Sequence, residues 1–116
     1  MAELTVYSLK SCDTCRKALR EIEAAGMQAT VVDVRADGIA PAEMQRLLTA
    51  VGPENLVNRR STTWRGLDDD TRSRAMSADG ADVLGAHPTL MKRPVICVGD
   101  AVHVGWNADT KAAVLG

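Results

Sequence analysis

Aromatic side chains are nearly absent from this sequence: two Trp, one Tyr and no Phe in 116 residues. A core of stacked rings is excluded, so burial has to come from Ala, Val, Leu, Ile and Met within the 46% of residues that are apolar. An excess of charge is missing too, since 14 Lys and Arg face 15 Asp and Glu for a net charge of -1. No overall field draws such a chain to nucleic acid or to an anionic membrane. Neither end carries a long apolar run, and the start, Met-Ala-Glu-Leu-Thr-Val, has the form of neither a signal nor a transit peptide. Those absences predict a cytoplasmic protein with no membrane anchor. Cysteine is scarce and odd in number, with Cys12, Cys15 and Cys97, which argues against a secreted disulfide scaffold.

What is present has a clear order. Residues 3–8 alternate and are rich in β-formers, predicting a strand. Apolar positions at Cys15, Ala18, Leu19, Ile22 and Ala25 keep helical spacing, and Gly26 supplies a stop. Residues 29–34 form a second strand, so the chain opens as a βαβ unit. Pro41 suits the first turn of a helix striped by Met44, Leu47, Leu48 and Val51, ended by Gly52-Pro53. A short segment through Leu56-Val57 and a polar stretch over 58–66 follow, and two short helices are expected over 70–77 and 81–86. Pro94 to Val98 is an apolar strand, Gly99-Asp100 a two-residue turn, and Ala101 to Gly105 the returning partner. Asn107 can cap a last helix, with Asp109 well placed for its dipole. The expected architecture is a single α/β domain over 1–116 with a thioredoxin-like fold. Its four-stranded mixed sheet (βαβ…ββα) carries a helical insertion, about 40–92, between the halves.

Against that framework three segments resemble one family. Tyr7-Ser-Leu-Lys-Ser-Cys-Asp-Thr-Cys-Arg-Lys-Ala18 resembles the start of the ArsC family, which includes arsenate reductases, Spx regulators and YffB-like proteins. Asn58-Arg-Arg-Ser-Thr-Thr-Trp-Arg-Gly-Leu67 looks most like the YffB-like branch, and His87-Pro-Thr-Leu-Met-Lys-Arg-Pro-Val95 resembles the shared Arg-Pro segment before the third strand. The resemblance implies that Cys12 is the catalytic cysteine and that Pro94 follows a cis bond beside it. It also implies that Arg60 and Arg93 match two of the three arginines that hold arsenate in the true reductases. The third falls at or beside Trp106, where no arginine is within reach; Lys111 is the nearest later cation.

The residues support this chemistry independently. Cys12 stands where the first helix begins, and free amides and the helix dipole there favour the thiolate, the only form that attacks. Lys10, Arg16 and Lys17, with Arg60 and Arg93 by resemblance, add positive charge, which Asp13 opposes. The plain alternative is a structural thiol in a polar turn. Cys15, one turn on, can resolve a mixed disulfide or act as a switch partner, or can simply fill the core. Cys97, between Ile96 and Val98, reads as a buried hydrophobe. A zinc site would need two ligands beyond Cys12 and Cys15, and Cys97, His87 and His103 are scattered, so no metal is expected. Arg60 and Arg93 have the guanidinium forks that grip carboxylates and oxyanions, or are surface charge. Arg59 and Arg65 read as solvated, and Trp64 as a core or lid aromatic.

The resulting expectation is a thiol-disulfide reductase acting as a monomer on glutathione or a protein disulfide. Glutathione would be a co-substrate, with no tightly bound cofactor and no direct contact with nucleic acid. Two alternatives follow from the resemblance: an Spx-like regulator docking on RNA polymerase with Cys12 and Cys15 as a redox switch, and an arsenate reductase.

Overall fold

The computed structural model describes residues 3–116, which divide into two units: residues 3–33 with 93–116, and residues 34–92. The inserted unit begins at 34, earlier than the expected 40, because the chain leaves its second strand directly into a turn over 34–37.

The first unit holds β1 (Leu4–Ser8), α1 (Asp13–Ala24), β2 (Thr30–Asp33), β3 (Val95–Val98), β4 (Ala101–Val104) and α7 (Ala108–Leu115). The strands form one mixed sheet in the order β2-β1-β3-β4, with β1 parallel to β2 and antiparallel to β3, and β3 antiparallel to β4. This is the thioredoxin-like arrangement that the element order predicts. Helix α1 buries Cys15, Ala18 and Ile22, the i, i+3, i+4 stripe of an amphipathic helix. Its end is a Schellman motif: Gly26, at φ 78°, donates to the Glu23 carbonyl at 2.9 Å, and Met27 donates to that of Ile22 at 3.2 Å. The core consists of Leu4, Val6, Ile22, Ile96 and Val114, with Leu19, Met27, Ala29, Val98, Trp106 and Leu115 packed against it. It is aliphatic apart from one indole, as the composition requires. Asn107 caps α7 by accepting from the Thr110 amide at 2.9 Å.

The second unit holds α2 (Pro41–Val51), α3 (Pro53–Leu56), α4 (Thr62–Arg65), α5 (Asp69–Ala75) and α6 (Ala81–Ala86), with a 3-10 turn over Pro88–Leu90. Helix α2 packs against α3 and α6, and Met44, Leu47, Leu48, Leu56, Val83, Leu84, Leu90 and Met91 are buried. Two stretches to which the sequence assigns no element are helical in part. The segment at Leu56-Val57 is the end of a helical turn, α3, with Val57 forming a bridge to Met91. The polar stretch 58–66 contains α4, capped by Ser61, whose hydroxyl accepts from the Trp64 amide at 3.1 Å. Both helices are four residues long, too short to show helical periodicity.

Trp64 also gains a role. The Arg72 guanidinium stacks 5.5 Å from its ring centre and donates to the carbonyls of Trp64, at 3.1 Å, and Arg65, at 3.0 Å. One half-buried cation thus adds a bond to two carbonyls at the end of α4 and binds the indole face. Thr63 and Thr89 share a 2.6 Å hydroxyl bond beside it. Arg65 is exposed, as expected, and reaches back to the Arg60 carbonyl at 3.4 Å.

Gly80 is buried before α6, and a Cβ there would lie 2.5 Å from the Arg74 carbonyl oxygen and 2.8 Å from that of Ala75. Backbone atoms cannot rotate aside, so Gly80→Ala should destabilise the protein by about 1–3 kcal/mol. Chemical denaturation should show a lower midpoint, and an unchanged midpoint would mean that α5 and α6 pack less tightly than described.

Candidate active site

The site is built where β1 runs into α1. After Leu9 the chain turns, with the Cys12 amide donating to the Leu9 carbonyl at 2.9 Å. Cys12 keeps an extended backbone, φ −88° and ψ 113°, and serves as the N-cap of α1. Its carbonyl accepts from the Arg16 amide at 3.1 Å, and its Sγ accepts from the Cys15 amide at 3.3 Å. The sulfur occupies the place a Ser or Asp oxygen usually takes in capping a helix. Cys12 is half-buried; Cys15, on the inner face of α1, has no exposure at all.

The sheet supplies the rest. Antiparallel pairing of Tyr7 with Val95 sets the residues entering β3 beside those leaving β1. Arg93 and Pro94 are those entering residues, and the bond between them is cis. The Pro94 carbonyl accepts from the Gly105 amide at 2.8 Å, which fastens the end of β4 to the same spot. Gly105 sits at φ 85°, a left-handed conformation that favours glycine. The sequence places Gly105 at the end of the returning strand and gives no sign of this role; β4 ends one residue earlier, at Val104.

Three groups therefore meet at one sulfur. Burial pushes the Cys12 thiol up, but the Cys15 S–H and N–H bonds and the charge and hydrogen bond of Arg93 more than offset it. The thiol lies below the ordinary cysteine value. Cys15 moves the opposite way, to about 12, through burial first and then through its hydrogen bond to Cys12 and the charge of that sulfur. The pair is split in acidity, with Cys12 the readier of the two to ionise and Cys15 the more firmly protonated.

The other sequence candidates lie as follows. Asp13 and Arg16 form an exposed ion pair with each other, so their opposed effects on Cys12 largely cancel. Lys10 and Lys17 are exposed. Cys97 is buried in β3, opposite Thr5 and Val102. Arg60 belongs to the second unit, exposed in the turn before α4, where its amide donates to the Asn58 side chain at 3.1 Å. Trp106 turns into the core of the first unit, and its Nε1 donates to Glu21 Oε2 at 2.6 Å. Lys111 lies 3.6 Å from the other Glu21 oxygen and 5.9 Å from the indole centre. The Trp106 bond first, and Lys111 with it, hold the Glu21 carboxyl below its usual range. The position expected for a third arginine thus carries an inward-facing indole, and the nearby lysine is paired. Among the described residues no group of three or more His, Cys, Asp or Glu could hold a metal ion, and no helix is long and apolar enough to cross a membrane.

The Arg93 contribution is testable. Arg93→Ala should raise the titration midpoint of Cys12, and Arg93→Lys should preserve part of the depression. The check is the iodoacetamide rate against pH in a Cys15→Ser, Cys97→Ser background. The midpoint should fall below the ~8.5 of a free cysteine when Arg93 is present. The linkage has the same sign: stabilisation by the folded thiolate is complete above the unfolded thiol's value and is lost as pH falls through the lowered folded value. A midpoint unmoved by Arg93→Ala would separate the guanidinium from the sulfur.

Comparison with known proteins is consistent with this geometry. The model of the ArsC family matches residues 7–114. The solved structure of a YffB protein superposes with a TM-score of 0.87 and 30% identity, over 97% of this chain and 99% of that one. An arsenate reductase-related protein from Brucella melitensis superposes with a TM-score of 0.74 and 33% identity, over 96% of this chain and 92% of that one. In sequence, the global transcriptional regulator Spx of Staphylococcus aureus is 26% identical over 91% of this chain and 82% of its own length.

Proposed function

Because this chain belongs to the ArsC family, we propose that it is a thiol-disulfide reductase in which the Cys12 thiolate attacks and Cys15 resolves. The observation that carries this reading is the contact among Cys12, the Cys15 thiol and amide, and Arg93 at the N-terminus of α1. In the first step the Cys12 thiolate attacks one sulfur of a substrate disulfide, forming a mixed disulfide and releasing a thiolate. In the second, Cys15 loses its proton and attacks the Cys12 sulfur, releasing the second substrate thiolate and leaving a Cys12–Cys15 disulfide. Two electrons have passed to the substrate, and two external thiols, with glutathione as the proposed donor, restore the pair.

The raised Cys15 value suits this order. While Cys12 is a thiolate, its charge and hydrogen bond help hold the Cys15 proton, so the resolving thiol stays quiet. Once Cys12 is in a mixed disulfide that charge is gone and the proton leaves more readily. Arg93, half-buried beside the sulfur, also suits the carboxylates of a glutathione moiety or an acidic peptide.

A second reading, an Spx-like regulator that binds RNA polymerase, is favoured by the Cys12–Cys15 spacing and by the similarity to Spx. Under it the purified protein would capture polymerase and its reductase turnover would be negligible. Arsenate reduction fits less well, since Trp106 and Lys111 leave no free arginine-like donor at the third position.

Cys12→Ser should abolish disulfide reductase turnover, and Cys97→Ser should leave it nearly intact, in protein whose circular dichroism shows it folded. Equal losses from the two substitutions would sink the assignment. Arsenate turnover with glutathione and glutaredoxin should be weak or absent; robust turnover would show that two arginines suffice.

A further inference from the structure

We propose that the same sulfur reduces hydroperoxides: Cys12 takes the terminal oxygen of a small hydroperoxide, Arg93 holds the leaving oxygen, and Cys15 closes the cycle. This rests on the reading of Cys12 as the nucleophile, and it adds a substrate class that has no disulfide.

Hydroperoxide reduction by a thiol needs three things that disulfide exchange does not need together. The sulfur has to be ionised yet open to a small molecule, and Cys12 is half-buried, capped on one side by the Cys15 amide at 3.3 Å. The departing oxygen leaves as an alkoxide or hydroxide, a far poorer leaving group than a thiolate, so a fixed donor beside the sulfur is required. Arg93 is the candidate donor: it precedes cis-Pro94 at the entrance to β3, beside the end of β1 that leads to Cys12, and its charge lowers the Cys12 thiol. Its backbone is held by the sheet and by the Gly105 bond to the Pro94 carbonyl, so it does not have to be recruited by a loop. Finally, the sulfenic acid formed has to be trapped before a second peroxide oxidises it irreversibly. The Cys15 thiol already donates to the Cys12 sulfur, so trapping requires no unfolding of α1.

The steps balance. The Cys12 thiolate attacks the outer oxygen of R–O–O–H; an S–O bond forms, the O–O bond breaks, and the alkoxide takes a proton from water. Sulfur has lost two electrons and the peroxide has gained them. Cys15 then attacks the sulfur of Cys12–SOH, the S–S bond forms, and the hydroxyl leaves as water with the Cys15 proton. A thiol or dithiol reductant returns the disulfide to the starting pair.

The test uses the full-length reduced protein with hydrogen peroxide as probe and dithiothreitol as reductant. Consumption of peroxide should be catalytic in the wild type and absent in Cys12→Ser. Cys12 should be oxidised about tenfold faster than free cysteine at neutral pH, because a larger fraction is thiolate. Cys15→Ala should accumulate a sulfenic acid, trapped by dimedone on Cys12, where the wild type gives a disulfide and no adduct. Arg93→Ala should remain slower even at a pH where Cys12 is fully ionised in both proteins, which a pure pKa effect would not produce. Equal rates of wild type and Arg93→Ala at that pH, or peroxide consumption no faster than with free cysteine, would overturn the proposal. An aromatic disulfide probe, 5,5′-dithiobis(2-nitrobenzoate), read in parallel keeps the two readings apart. Fast reaction of Cys12 with it and slow reaction with peroxide would discard the peroxidase and retain the reductase, and slow reaction with both would discard both.

Discussion

The hydrogen bond from the Cys15 amide to the Cys12 sulfur joins the fold to the chemistry. A helix must satisfy the amides of its first turn, and an oxygen usually does so. Here a sulfur does, and a thiolate accepts such a bond better than a thiol. Starting α1 and ionising Cys12 are therefore coupled. Cys15 adds a second bond through its own thiol, and its burial on the inner face of α1 keeps that thiol protonated and aimed at its partner. A single turn of helix thus supplies a cap, a donor and a second sulfur, the one proposed to resolve.

Strand order fixes what faces that turn. With β1 between β2 and β3, the C-terminal end of β1 and the N-terminal end of β3 share one end of the sheet. Arg93 and Pro94 arrive there through backbone pairing alone, and Gly105 closes the arrangement from β4. At the same end of β4 the chain turns Trp106 inward, where Glu21 and Lys111 hold it. That indole serves the core, and with its N–H taken by Glu21 it supplies no anion donor.

Much of this was legible in the sequence. Helices α1 and α2 carry enough residues for their period to show, the strands stand out by their β-formers and apolar runs, and the last helix is marked by its Asn107 cap, as Gly26 and Pro41 mark the ends of the others. Cys12 and Cys15 were visible as a pair because their spacing is one helical turn. What the sequence did not disclose was local in another sense. Helices α3 and α4 are single turns, and α4 is held by Ser61, Arg72 and Thr89, partners too few or too far along the chain to form a pattern. Arg65 is exposed as expected, but its bond to the Arg60 carbonyl could not be read, because a backbone carbonyl leaves no mark on a sequence. The division of charge between the cysteines depends on burial, and spacing alone does not give it.

The central claim is that Cys12 attacks and Cys15 resolves. Mass spectrometry of the reduced protein treated with oxidised glutathione tests it most directly. A glutathione adduct should form on Cys12 alone and give way to an internal Cys12–Cys15 disulfide, and it should persist on Cys12 when Cys15 is replaced by Ser. A stable adduct on Cys15 or Cys97, or no modification under conditions that label a free thiol, would contradict it.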